Sequence, residues 1–255
     1  MRNLAVFLVV AVSSLPALAA GFEGSIEMSI KNDRAGAGAL KLSLGDPGTV
    51  SELTMPTPQG SMVIKSLMQK AHPESVYLIN DAQKTYSELP VPPQGAKMPG
   101  DDQTWTVKKI GSEKIAGYDT VHVTATGSRG DNFELWTAKD IMSSSDFVKA
   151  QGSGNRVPTQ LVTALKDAGA DGFFARLVAG GKDGSKTTME LTKVTKGALP
   201  KNAFEIPTGY TKAAAGLGGM GGAIPPDVQK QMQDKMKTLT PEQQEAMKKA
   251  MAGHP

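Results

Sequence analysis

"FEGSIEMSIKNDRAGAGALKLSLG", residues 22–45, alternates apolar and polar side chains on both sides of a glycine-rich break. Phe22, Ile26, Met28 and Ile30 fall on one face, and Glu23, Glu27 and Lys31 on the other. That period of two is the signature of a half-buried strand. "NDRAGAG" supplies a turn, and "ALKLSLG" repeats the alternation with Leu40, Leu42 and Leu44 inward. Two such strands joined so closely predict an antiparallel hairpin, and the following segments extend it. "TVSELTM", "MVIKSLM", "SVYLIN" and "KTYSEL" follow at short spacing, the last two joined by a turn on Asn80-Asp81. These segments predict an antiparallel meander.

The proline-rich stretch "PVPPQGAKMPGDD" (90–102) cannot sustain a ladder and is expected as a surface loop. Strands resume with "TWTVKKI", "YDTVHVTAT" and "FELWTA". The first is read as Trp105–Ile110, followed by a turn through "GSEKIAG" (111–117). On the return strand Val121, Val123 and Ala125 share one face. Thr120, His122, Thr124 and Thr126 share the other, read as solvated. Residues 139–169 take up helical spacing, with Leu161, Ala164, Leu165 and Ala168 in phase and Gly169 placed to end a helix. The segments "FFARLVAG" and "KTTMELTKV" are late strands around "GKDGS", and "NAFEIPTGY" closes the body.

Both ends differ from this body. "MRN" followed by "LAVFLVVAVSSLPALA" has the basic start, short apolar stretch and small residues of a secretory leader. Residues 1–19 are therefore expected to be a signal peptide, cleaved near Ala19-Ala20, which leaves no stable membrane anchor. The body is assigned to 20–212 and a glycine-rich linker to 213–224. A Met/Gln-rich tail (225–255) then reads as two short helices. In the first, Val228, Met232, Met236 and Leu239 form an apolar stripe, and in the second Thr240 and Gln243 form a capping box. The pairs Met232/Met236 and Met247/Met251 are read as packing faces, so no metal is assigned to them.

Composition narrows the function. The absence of cysteine excludes a disulfide scaffold, so an exported chain must be held by its core. A net charge of +3 with interspersed signs makes nucleic acid an unexpected partner. The three histidines, His72, His122 and His254, lack the spacing of a zinc site. "GLGGMG" (216–221) matches a dinucleotide fingerprint in letters but lies in the linker without a strand before it. Asp119 and His122 fall on opposite faces of a strand, with no nucleophile identified. The expectation is a non-enzyme, with no catalytic residue, metal or cofactor.

Several of these segments carry a resemblance. "VYLIN…KTYSEL", "WTVKKIGSEKIAGYDTVHV", "ELWTAKDI", "LKDAGADGF" and "FEIPTGYTK", in that order, resemble the secreted bacterial domain-of-unknown-function family 4412 (DUF4412) from about Phe22 to Tyr210. The resemblance implies a fold similar to LolA/LolB-type lipoprotein carriers: a mainly β, strongly curved, incomplete antiparallel barrel closed by helices that plug an apolar cavity. The lining expected for that cavity is Ile26, Met28, Ile30, Leu40, Leu42, Leu44, Val121, Val123 and Leu135, acting through shape and apolar contact. Seven methionines in the body, Met28, Met55, Met62, Met68, Met98, Met142 and Met189, suit an adaptable apolar surface. The expected role is periplasmic or secreted binding of a lipid, acyl chain or lipoprotein. The alternative is an envelope-stress or chaperone role for the tail, whose "LTPEQQ" (239–244) resembles a motif of Spy-type chaperones.

Overall fold

The computed structural model describes residues 22–33, 36–57, 60–91, 102–151, 157–180 and 184–213. The expected leader, the linker beyond its first residue, the tail and residues 92–101 of the proline-rich loop lie outside them.

The strands are β1 (Gly24–Asn32), β2 (Gly36–Gly45), β3 (Gly48–Thr57), β4 (Gly60–Gln69), β5 (His72–Asn80) and β6 (Thr85–Pro90). They continue with β7 (Trp105–Ile115), β8 (Tyr118–Gly127), β9 (Asn132–Ala138), β10 (Phe173–Gly180), β11 (Lys186–Lys196) and β12 (Thr211–Lys212). The helices α1 (Ser144–Gln151) and α2 (Thr159–Asp167) lie between β9 and β10. All twelve strands join one open sheet in the order β12-β6-β5-β4-β3-β2-β1-β11-β10-β9-β8-β7. The fold is mainly β, as expected, and antiparallel except at one edge, where β12 runs parallel to β6.

One local expectation is corrected. β7 does not end at Ile110 but continues to Ile115, and the hairpin turns at Ala116-Gly117, both with positive φ (49° and 87°). That is the geometry of a tight hairpin turn matched to strand twist. A bulge between Lys109 and Gly111 absorbs the extra residue, so the ladder resumes beyond it. Helix α1 begins at a pair of serines. Ser143 Oγ accepts the Asp146 N–H at 3.1 Å, and the buried Ser144 hydroxyl donates to the Gly172 carbonyl at 2.8 Å.

The sheet is covered on opposite sides at its two ends. On the helix face, Phe147, Leu161 and Leu165 cover a core that includes Ile26, Met28, Leu42, Leu44, Val123 and Leu135. Ser43, Val50, Leu67 and Tyr77 are paired in series across β2–β5, one residue out of step with Leu42 and Leu44. They therefore point to the other side. There the segment after β11 forms a strap. Its short 3-10 helix (Lys201–Phe204) lays Phe204, 1% exposed, in one core with Val50, Leu67, Tyr77 and Ile79. Gln69 Nε2 donates to the Phe204 carbonyl at 2.9 Å. Gly45 makes room for the ring, since a Cβ there would lie 2.8 Å from it.

The strap ends in β12, tied down by polar contacts. Tyr210 donates to Asp81 at 2.7 Å, and Lys212 Nζ to Glu88 at 2.6 Å. The Lys212 ammonium and the Ser75 hydroxyl hold the Glu88 carboxyl below the usual carboxylate range.

Phe204→Ala should lower stability by about 3–5 kcal/mol, because an aromatic ring is removed from a site closed on all sides. A urea titration should show the lower midpoint. Glu88 adds a pH dependence. Its carboxyl is depressed in the folded state, so its contribution is present above the ordinary carboxylate pKa and lost as pH falls through the lower folded value. Hydrogen exchange at the Thr211 and Ala213 amides, which bond Lys84 and Tyr86 carbonyls, should quicken in that acid window relative to core amides. Glu88→Gln should abolish the acid step.

Candidate functional site

The apolar helix face of β1 and β2 continues across β3–β6, but its surroundings change. The register runs Leu40–Leu53–Ile64, Leu44–Thr49–Met68–Val76–Leu89, and Leu42–Ser51–Ser66–Leu78–Ser87, with Met55 opposite Met62. Leu53, Met55, Met62, Ile64, Met68, Val76, Leu78 and Leu89 thus share the helix face. None belongs to either core; all eight are partly exposed, and α1 approaches the strip at β3. No Asp, Glu, Lys or Arg interrupts this strip, whose polar side chains are hydroxyls and the Asn80 amide at its margin. Ser51 and Ser66 hydroxyls bond each other at 2.7 Å. Ser87 is 2% exposed, and its Oγ has no hydrogen-bond partner.

The expected cavity residues divide in two. Ile26, Met28, Leu42, Leu44, Val123 and Leu135 are 0–5% exposed, packed into the helix-covered core. Leu40 and Val121 are partly exposed against that core, and Ile30 is partly exposed outside both. Ile30 and Leu40 therefore form the margin of the open strip. The strip itself is mostly residues that alternation did not select. The signal available was the loss of alternation: "MVIKSLM" and "SVYLIN" carry apolar residues at both parities, as strands buried on two faces do. Met55, Met62 and Met68, three of the seven methionines, are concentrated here.

The opposite face of β7–β11 holds a polar and aromatic stack. His122, Trp136, Arg176 and Glu190 are paired in series across β8–β11. The His122 ring lies 4.0 Å from the Trp136 ring at 7°, and the Arg176 guanidinium carbon sits 4.7 Å over the indole. His122 Nε2 is 2.8 Å from Glu134, and Arg176 donates to Glu113 and Glu190. The face read as solvated is therefore partly closed: Trp136 is 7% exposed, and Thr120, 2% exposed, donates to the Glu113 carbonyl at 2.8 Å. Each member of the stack has protein partners, so the arrangement supports the fold. Among the described residues no three His, Cys, Asp or Glu side chains are grouped to hold a metal.

His122→Ala should uncover the Trp136 indole and remove one charge-assisted contact, lowering stability by about 1–2 kcal/mol. In a Trp105→Phe background Trp136 is the remaining tryptophan of two. Its emission should shift to longer wavelength when His122 is removed.

No curated protein matches the chain. Among solved structures, it is similar to an uncharacterized conserved protein from Thermus thermophilus at 8% identity, covering 75% of this chain and 91% of that one, with a TM-score of 0.42. It is similar to the Pseudomonas aeruginosa MucA/MucB complex structure at 10% identity and a TM-score of 0.40, covering 71% of this chain and 54% of that one. It is also similar to a LolA superfamily protein from Nitrosomonas europaea at 12% identity and a TM-score of 0.31, covering 72% and 90%. The model of a domain of unknown function, DUF4412, matches residues 22–210, and the chain belongs to that family.

Proposed function

We propose that the protein is an exported, non-catalytic carrier that holds one acyl chain against the helix face of β3–β6. The supporting observation is the strip itself: apolar across four strands, without Asp, Glu, Lys or Arg, and outside both cores. From Thr49 to Met55 the strip runs about 20 Å along the strand, given roughly 3.3 Å per residue. That accommodates the roughly 15 Å of chain in one leaflet of a bilayer core. Burying an acyl chain gains about 0.8 kcal/mol per methylene. Association consumes roughly 4–15 kcal/mol of such gains. A strip open on one side therefore favours reversible holding, which suits a carrier. Three methionines let the surface adapt to chains of different length and unsaturation. A leader cleaved near Ala19-Ala20 would place this activity in the periplasm or outside the cell.

Neighbouring residues of β4 give a strict test, because they point to opposite faces. Ile64→Asp puts a charge into the strip, whereas Val63→Asp adds one at a position already 53% exposed on the other side. Titration with a fluorescent fatty acid should show at least a roughly tenfold loss of affinity for Ile64→Asp and little change for Val63→Asp. Native mass spectrometry of protein purified without detergent should detect a lipid adduct on the wild type. A wild type that carries no adduct and ignores the probe rejects the proposal.

A further inference from the structure

The Ser87 hydroxyl is in an unusual position. Serine can donate one hydrogen bond and accept two, and a buried hydroxyl left without a partner costs about 1–3 kcal/mol. Ser87 is only 2% exposed, yet its Oγ is unbonded, whereas the partly exposed Ser51 and Ser66 in the same cross-strand row bond each other. The row fixes its direction: Ser87 is paired with Leu78, which follows Ser66 and Ser51 on the helix face. On its own strand it is flanked on that face by Thr85 and Leu89. The other buried polar atoms without a partner, Gln103 Oε1, Trp105 Nε1 and Thr137 Oγ1, lie on or beside β7 and β9, in the other half of the sheet. Ser87 is thus the one described unpartnered buried hydroxyl on the apolar strip.

From this we infer that the strip takes an acyl ester of a lipid, with Ser87 Oγ donating to the ester carbonyl. The inference rests on the proposed acyl-binding role and specifies the chemical class of ligand. The other polar side chains of the strip, Thr49, Ser51, Ser66, Asn80 and Thr85, are partly exposed and within reach of water, and its Leu, Met, Ile and Val side chains offer no directional contact. The buried, unpaired hydroxyl gives the ligand a register, since the carbonyl must sit at Ser87, at the β6 side of the strip. A ligand reaches this hydroxyl only when a partly exposed neighbour, Leu78, Thr85 or Leu89, turns aside, and binding would then satisfy the group that the free protein leaves unpaired. An apolar residue at position 87 would favour the free fold but lose this orientation. The ester carbonyl suits the site because it accepts a bond without carrying charge into an uncharged surface.

The test compares two probes on the full exported chain: a pyrene-labelled fatty acid methyl ester and a pyrene-labelled alkane of equal length. Ser87→Ala should fold with an unchanged or higher Tm. It should weaken the ester about three- to tenfold, the range of one net hydrogen bond, and leave the alkane unchanged. Ester and alkane affinities that are both unchanged in Ser87→Ala would overturn the assignment of the hydroxyl while leaving acyl binding intact. Equal weakening of both probes would also overturn it, by showing that Ser87 acts through the shape of the strip. A wild type that binds neither probe would reject the acyl-binding role itself.

Discussion

The register from β1 to β6 is the constraint on which the rest of the structure depends. It passes from strand to strand without a slip until the β4–β5 end at Met68/Gln69. In a ladder of this kind a residue's face is fixed by parity alone, and a slip of one position would turn a whole strand over. The apolar set begun by Ile26 and Met28 is therefore carried through Leu42 and Leu44, then Leu53 and Ile64, to Leu78 and Leu89. The two helices and the strap cover different parts of what that register lays out. The helix core takes in β1 and β2, and Phe204 covers β3–β5 from behind. What remains is the helix face of β3–β6, the one broad apolar area that belongs to neither core among the described residues.

The second face is organised by charge. Lys193, Glu27, Lys41, Glu52 and Lys65 follow one another in register across five strands, alternating in sign. Lys65 lies 3.8 Å from Glu52 and 3.7 Å from Asp81. Such exposed pairs contribute little stability individually. Their effect is to keep the part of that face beside the strap's core wetted. The long edge strand is protected in a related way. β7 carries Lys108, Lys109 and Lys114 and a bulge at Ile110, features that discourage another strand from pairing with it.

Much of this is legible in the sequence because strand alternation is a local signal. β1 and β2 can be read residue by residue, since each has one apolar and one polar parity. Helix α2 is readable from the spacing of Leu161 and Leu165, and both are buried. The hairpin before β8 is deceptive because Gly111 resembles a turn residue, and nothing local distinguishes a bulge from a turn. Parity puts His122 on the correct face but says nothing of its environment. Its partners Trp136 and Arg176 are 14 and 54 positions away in the chain, and only the strand order brings them alongside. The strip on β3–β6 is obscured for the opposite reason. Strands such as "SVYLIN" are apolar at both parities, so alternation cannot say which side the strap will take.

That ambiguity bears on how the surface works. Tyr77 and Ile79 are taken by the strap, which leaves Val76 and Leu78 facing the other way, and the same division separates Leu67 from Met68 on β4. A strand apolar on both sides needs two covers, and the described fold supplies only one. Filling the second side with large aliphatic residues and a further helix would have sealed it, as the other half of the sheet is sealed. Instead the strip carries methionines, whose flexible thioethers have no fixed shape. It also carries small hydroxyls, which interrupt the apolar area. Under the proposed role, that mixture would suit reversible holding of a hydrocarbon chain.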